Sequence, residues 1–103
     1  MLVCFFKLII LIWLFFLQNV YADIKIIDGD TIIFNEKKIR LFGIDAPETN
    51  QYCFDKKKIK YSCGLNSTKA LVQFIKKNRN KSIKCSHYEI DKYGRFISEC
   101  WIG

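Results

Sequence analysis

Two β-rich runs joined by one acidic corner constrain this chain more than any other feature. Ile24 to Ile27 and Thr31 to Phe34 are dominated by β-branched and aromatic residues, and Asp28-Gly29-Asp30 separates them. A corner this short between runs of that composition predicts an antiparallel strand pair. After the polar turn Asn35-Glu36-Lys37, the segment Lys38 to Ile44 carries Ile39, Leu41 and Ile44 and reads as a third strand. Pro47 breaks the ladder and biases Ala46 toward extended backbone.

Asn66 or Ser67 caps a predicted helix that runs to about Lys77. Leu71, Phe74 and Ile75 share one face of it, a stripe that packing into a core explains. Ser82 to Ile90 and Phe96 to Ile102 read as a hairpin around Asp91-Lys92-Tyr93-Gly94. Trp101 is expected in the core, and the lone His87 is an ordinary strand residue without metal-ligand spacing to another histidine. Thr49 to Gly64 reads as a long loop bearing the solvated basic run Lys56-Lys57-Lys58-Ile59-Lys60. Three strands, a helix and two strands predict a small, mostly β, α+β domain: a five-stranded OB-type barrel with one packed helix.

The first residues read differently. Met1 to Leu17 is apolar apart from Lys7, and Val20-Tyr21-Ala22 ends in small-residue cleavage style. The pattern is that of a signal peptide cut after Ala22, which leaves residues 23–103 as one secreted or periplasmic domain. The alternative is a membrane anchor made by residues 1–17, although the unbroken apolar stretch Leu8 to Leu17 is short against the roughly 20 residues of a span.

Five cysteines are present. Cys4 leaves with the leader, and Cys53, Cys63, Cys85 and Cys100 remain. An even number in a small exported domain implies two disulfides, with three connectivities open. No C-x-x-C pair occurs, which argues against zinc. A hairpin centred between Lys92 and Tyr93 sets Cys85 opposite Cys100, close enough for a bridge. A bulge at Gly94 would shift that register by one. Cys85–Cys100 is therefore expected, leaving Cys53–Cys63.

The chemistry lies in the strand ends. Asp28, Asp30 and Asp45 are hard oxygen donors of the kind that suit calcium or magnesium. Arg40 is a planar donor fork suited to phosphate, and Glu48 is available as a general base. Together they suggest phosphodiester hydrolysis. The formal charge of +7 fits an anionic partner such as nucleic acid, and equally a solvated basic surface.

Three motifs occur in order: Asp28-Gly29-Asp30-Thr31; Arg40-Leu41 with Gly43-Ile44-Asp45-Ala46-Pro47-Glu48; and Asp91-Lys92-Tyr93-Gly94-Arg95. With a helix between the second and third, they resemble the staphylococcal-nuclease-like (thermonuclease) family, in its exported, cysteine-containing branch, over about residues 24 to 102. The resemblance implies an OB-type barrel and calcium-dependent hydrolysis of DNA and RNA by a monomer without stable membrane association once the leader is removed. It implies Asp30, Asp45 and the Ala46 carbonyl as calcium ligands, with Asp28 acting through water. Glu48 is then the group that orients or deprotonates the attacking water, and Arg40 and Arg95 grip the phosphate. Tyr93 is expected to pack on or stabilise the turn, with a face on which a base could stack. Members of the family usually add two helices beyond the fifth strand, so a domain incomplete at its C-terminus is expected here. Two other readings stand beside catalysis: a non-catalytic nucleic-acid-binding OB module, and an inactive truncated remnant.

Overall fold

The computed structural model describes Leu2–Phe16 and residues 24–103. Leu2–Phe16 is a helix, α1. No helix among the described residues is long and apolar enough to cross a membrane, and the cleavage point expected after Ala22 lies outside them.

The domain opens with β1 (Ile24–Asp28), β2 (Thr31–Phe34) and β3 (Lys37–Leu41). β1 and β2 pair antiparallel across the acidic corner, with a register shift between Ile26 and Asp28. β2 and β3 pair from Thr31↔Arg40 to Phe34↔Lys37. Their two-residue turn holds Asn35 and Glu36 at φ of 50° and 64°. Left-handed backbone at both turn positions matches the right-handed twist of the flanking strands, and asparagine tolerates it better than glutamate.

Two short strands, β4 (Cys53–Phe54) and β5 (Lys60–Tyr61), form a miniature hairpin inside the expected loop. Helix α2 (Cys63–Lys77) follows directly. Its start lies upstream of the expected Asn66 or Ser67 cap. Ser62 stands at the cap position without a side-chain hydrogen bond, so the helix start is held by tertiary contacts at Cys63 and Gly64, the two buried residues of α2. The hairpin β6 (Ile83–Ile90) and β7 (Phe96–Ile102) completes the fold.

The main sheet runs β1-β2-β3-β7-β6. Three of its four neighbouring pairs are sequential and antiparallel; β3 and β7 alone pair in parallel, Ile39↔Phe96, Arg40↔Ile97 and Leu41↔Ser98. A parallel pair needs a long crossover, and the chain from β4 through β6 supplies it. The five-stranded sheet with a helix against it is the expected α+β, OB-like arrangement. It is not closed into a barrel: β1 and β6 are its two ends.

The core is small. Ile32, Phe34, Ile39 and Leu41 are buried, and Ile24, Ile26, Leu71, Ile83, Phe96 and the Cys85–Cys100 bridge pack against them. Trp101 is not in it. Alternation along β7 turns Ser98, Cys100 and Ile102 inward and Glu99 and Trp101 outward, leaving Trp101 49% exposed. Nor is the helix stripe fully covered. Phe74 is 53% exposed at an apolar groove that it shares with Leu71, Ile75 and Trp101.

Both expected disulfides are present, Cys53–Cys63 and Cys85–Cys100. The hairpin reaches its Cys85↔Cys100 register by two offsets. The loop is centred on Tyr93, because Ile90 faces Phe96, and a bulge between His87 and Glu89 then restores the pairing.

Two stability predictions follow from this architecture. Replacing Cys85 and Cys100 by serine removes a bridge of sequence separation 15 and should cost about 3 kcal/mol, read as a lower denaturant midpoint. Glu36→Gly converts Asn35-Glu36 into the preferred Asn-Gly turn and should raise stability by about 0.5–1 kcal/mol in the same assay.

Candidate active site

The site is built from the ends of β2, β3 and β7. Asp30 leaves the corner just before β2 and is buried. Its Oδ1 accepts the Thr31 hydroxyl at 2.8 Å and its Oδ2 accepts the Ala46 N–H at 3.0 Å. Its backbone carbonyl accepts from the Leu41 amide at 2.8 Å. The corner can sit this close only because residue 29 is glycine. A Cβ there would meet Ala46 Cβ at 2.9 Å and Ser67 Cβ at 3.0 Å.

Arg40 stands on β3 beside this carboxylate. Its Nη1 donates to the carbonyls of Leu41, at 2.8 Å, and Ile44. Its Nη2 lies 3.5 Å from Asp30 Oδ2 and 3.4 Å from Asp45 Oδ1. One cationic nitrogen thus lies between two carboxylates, Asp30 sequestered and Asp45 almost wholly solvated, its side chain 98% exposed.

Arg95 enters from the β6–β7 loop. Asp91 organises that loop: its Oδ1 accepts the amides of Tyr93 and Arg95, both at 2.9 Å, and its Oδ2 accepts Arg95 Nε at 2.7 Å. Gly94, at φ +79°, closes the turn with its amide on the Asp91 carbonyl at 3.0 Å. Burial pushes the Asp91 pKa up, but the hydrogen bonds from Arg95 and Tyr93 and the Arg95 charge outweigh it, so the carboxyl titrates below its ordinary value. Because Asp91 takes the Nε–H, both Nη groups of Arg95 are without a hydrogen-bond partner among the described residues. The Arg95 guanidinium also lies over the Tyr93 ring, 5.4 Å from its centroid, while the ring itself is largely exposed.

Parallel pairing of β3 with β7 brings the two arginines to one open cleft of about 530 Å³, lined also by Phe42, Asp45, Glu89 and Asp91. Asp30 joins this group through Arg40 and the Ala46 amide. Glu48 is not among the residues lining the cleft. It lies exposed beyond Pro47, with its amide on Gln51 Oε1 at 3.3 Å. Asp28 turns away and accepts the amide and the hydroxyl of Thr49, each at 2.8 Å. Among the described residues, no three His, Cys, Asp or Glu side chains converge as a metal-binding group.

Sequence reasoning passed over Thr49 and Phe42. Thr49 ties the Ile27 carbonyl, Asp28 and the Thr68 hydroxyl together. Its partners lie 19 to 22 positions away, and no local pattern marks such a contact. Phe42 lines the cleft edge-on to Tyr88, with ring centroids 5.1 Å apart. The bulge beside Tyr88, invisible in the alternation of β6, lies at that contact.

The fold is thus a small open β-sheet with one packed helix, with Arg40, Arg95 and Asp45 at one cleft and Asp30 behind Arg40. The chain belongs to the staphylococcal nuclease homologue family, whose model matches residues 38–103. It is 35% identical over 84 residues to a succinoglycan biosynthesis protein, ExoI, of Rhizobium meliloti (strain 1021), a match covering 82% of this chain and 43% of that protein. A thermonuclease of Staphylococcus intermedius is 32% identical over 91 residues, covering 81% of this chain and 49% of the relative. A probable staphylococcal-like nuclease of Oryza sativa subsp. japonica is 33% identical over 82 residues, 78% of this chain and 18% of the relative. The chain therefore spans half or less of the length of these relatives. No solved structure matches it at comparable stringency.

The Asp91–Arg95 contact sets a pH dependence. A carboxyl whose folded pKa is lowered contributes stability that is fully present above its ordinary value of 3.8 and is lost as pH falls through the folded value. Asp91→Asn should reduce stability at neutral pH and flatten its decline below pH 3.8, measured by denaturant unfolding across a pH series.

Proposed function

We propose that this chain is a nuclease-type domain that hydrolyses phosphodiester bonds of single-stranded or frayed DNA and RNA. The convergence of Arg40 and Arg95 on one cleft carries this reading, supported by the family and by the nuclease names of several relatives. Guanidinium forks bind phosphate oxygens in pairs of hydrogen bonds, and they act most strongly where the pentacoordinate phosphorus accumulates negative charge. Arg95 is suited to this because Asp91 orients it through Nε and leaves its outer nitrogens for the substrate. Arg40 engages substrate by exchanging its long contact to the solvated Asp45 for a phosphate oxygen.

Glu48 is the general base in this reading. Its exposure places it in contact with solvent, from which the attacking water comes. The acidic pair fits a calcium ion in chemistry: carboxylates are the hard oxygen donors that calcium takes, and Asp30 and Asp45 already share one positive charge, that of Arg40. Asp30, Asp45 and the Ala46 carbonyl would hold it, with Asp28 as an outer carboxylate. Bound calcium would supply a Lewis acid for a phosphate oxygen. The leader-like residues 1–22 favour export, where both disulfides persist.

A second reading, nucleic-acid binding without cleavage, is favoured by Glu48 lying outside the arginine cleft. Release of acid-soluble nucleotides from denatured DNA by the oxidised protein separates the two. Catalysis predicts release with calcium, none with a chelator, and a fall of about 10²-fold or more in Glu48→Gln. Arg95→Ala should cost a comparable factor. Salt-sensitive binding with no release, unchanged by Glu48→Gln, would establish the binding module instead.

A further inference from the structure

The segment that carries Glu48 is held in a short circuit of contacts that the phosphate cleft does not share. The Glu48 carbonyl accepts the Gln51 amide at 2.9 Å, while the Glu48 amide donates to Gln51 Oε1. The Gln51 carbonyl in turn accepts the Gly64 amide at 3.1 Å and lies 3.6 Å from Cys63 Sγ. Cys63 is bridged to Cys53, and the intervening chain is paired, Cys53↔Tyr61 and Phe54↔Lys60. The first turn of α2 thus presses on the Glu48 backbone with no space between. A Cβ at Gly64 would overlap the Glu48 carbonyl oxygen, and would lie 2.7 Å from its carbon and 2.9 Å from the Thr49 carbonyl oxygen.

The cleft depends on other elements. Arg40 and Arg95 are set by the β3–β7 pairing and by Asp91, and the Cys85–Cys100 bridge ties β6 to β7. The two halves of the site therefore rest on mostly different contacts, and they meet where Arg40 and Asp30 hold the Ile44–Ala46 segment.

We infer that Gly64 and the Cys53–Cys63 disulfide are positioning elements for Glu48, so that oxidation at this bridge governs the base while leaving phosphate binding intact. This rests on the reading of Glu48 as general base. A two-electron reduction by a dithiol would convert the bridge to two thiols, and the dithiol to its disulfide. Cys53 and the chain leading into it from Gln51 would then reach α2 only through the short β4–β5 pairing. Gln51 and Glu48 would lose their backing at Gly64, and Glu48 would sample positions away from the attacking water. The arginines would remain. The signature is a fall in kcat with little change in KM, because an interaction made only in the transition state has been lost.

Two readouts test this, one of them independent of activity. The parent is compared with Cys53→Ser/Cys63→Ser, Gly64→Ala, Gln51→Ala and, as a control for general destabilisation, Cys85→Ser/Cys100→Ser. Amide exchange at Gln51 and Gly64 should accelerate by about tenfold or more in the first two variants, while the Leu41 and Phe42 amides, bonded to Asp30 and Ser98, keep their protection. On denatured DNA, kcat should fall by about tenfold or more. KM should stay within about threefold. Gln51→Ala, at an exposed position that removes only one side-chain contact, should shift both in the same direction by less. The control should not produce the selective pattern. Unchanged exchange at Gln51 and Gly64 would overturn the inference, as would a uniform loss that includes Leu41 and Phe42 in every variant. A parent that exchanges as expected but cleaves nothing would sink the nuclease reading and leave the positioning result standing.

Discussion

Leu41 lies beside Ser98, Arg40 beside Ile97, and Ile39 beside Phe96 in the one parallel pairing of the sheet. Every other neighbouring pair is local in sequence and joined by a short turn. This pairing alone joins the first three strands to the last two, across the crossover that contains β4, β5 and α2. It buries Ile39 and Ser98 completely, and the Phe42 amide extends it by donating to the Ser98 carbonyl at 2.8 Å. Arg40 and Arg95, far apart in the chain, share a cleft because of it. Non-local pairing of this kind has the highest loop-closure cost in the fold, and the cleft forms only once that cost has been met.

The apolar core is too small to hold the rest by burial alone. Four strand residues make up its buried centre, and small domains bury a low fraction of their surface. Polar contacts supply the remaining constraints. Thr49 binds the β1 end and α2 at once, through Ile27, Asp28 and Thr68. Asp30 holds the Ala46 amide, and Asp91 holds the loop that carries Arg95. The residues that mark the chain as acidic at its strand ends therefore also fasten those ends together. Asp30 serves both purposes: its burial is tolerable because both oxygens accept hydrogen bonds and a guanidinium lies beside it.

Much of this was legible in advance, and the departures have specific causes. The strands of the first hairpins follow from β-branched runs and turn residues, which act locally. The Cys85–Cys100 pairing was also legible, although by compensation: the loop is offset by one, and the bulge near Tyr88 offsets it back. The size of Trp101 suggests burial, whereas strand alternation decides which face it takes and turns it outward. The helix starts upstream of Asn66 because Cys63 and Gly64 are fixed by the bridge and by Glu48, with no capping bond from Ser62 to mark the start in the sequence. The expected barrel is an open sheet, since nothing among the described residues joins β1 to β6.

Sequence alone determined the five strands of the main sheet, the acidic and basic residues of the site and the family, because each depends on residue type at short spacing or on a motif of fixed order. Tertiary structure decided which of those residues meet. It set Arg40 between Asp30 and Asp45, turned Asp28 toward Thr49, brought Arg95 to the same cleft, and placed Glu48 against Gly64 instead. The physical reason is that these contacts join segments separated by whole strands and a helix. Their geometry is fixed by sheet order and by close packing at two glycines, and neither is encoded in any local run of residues.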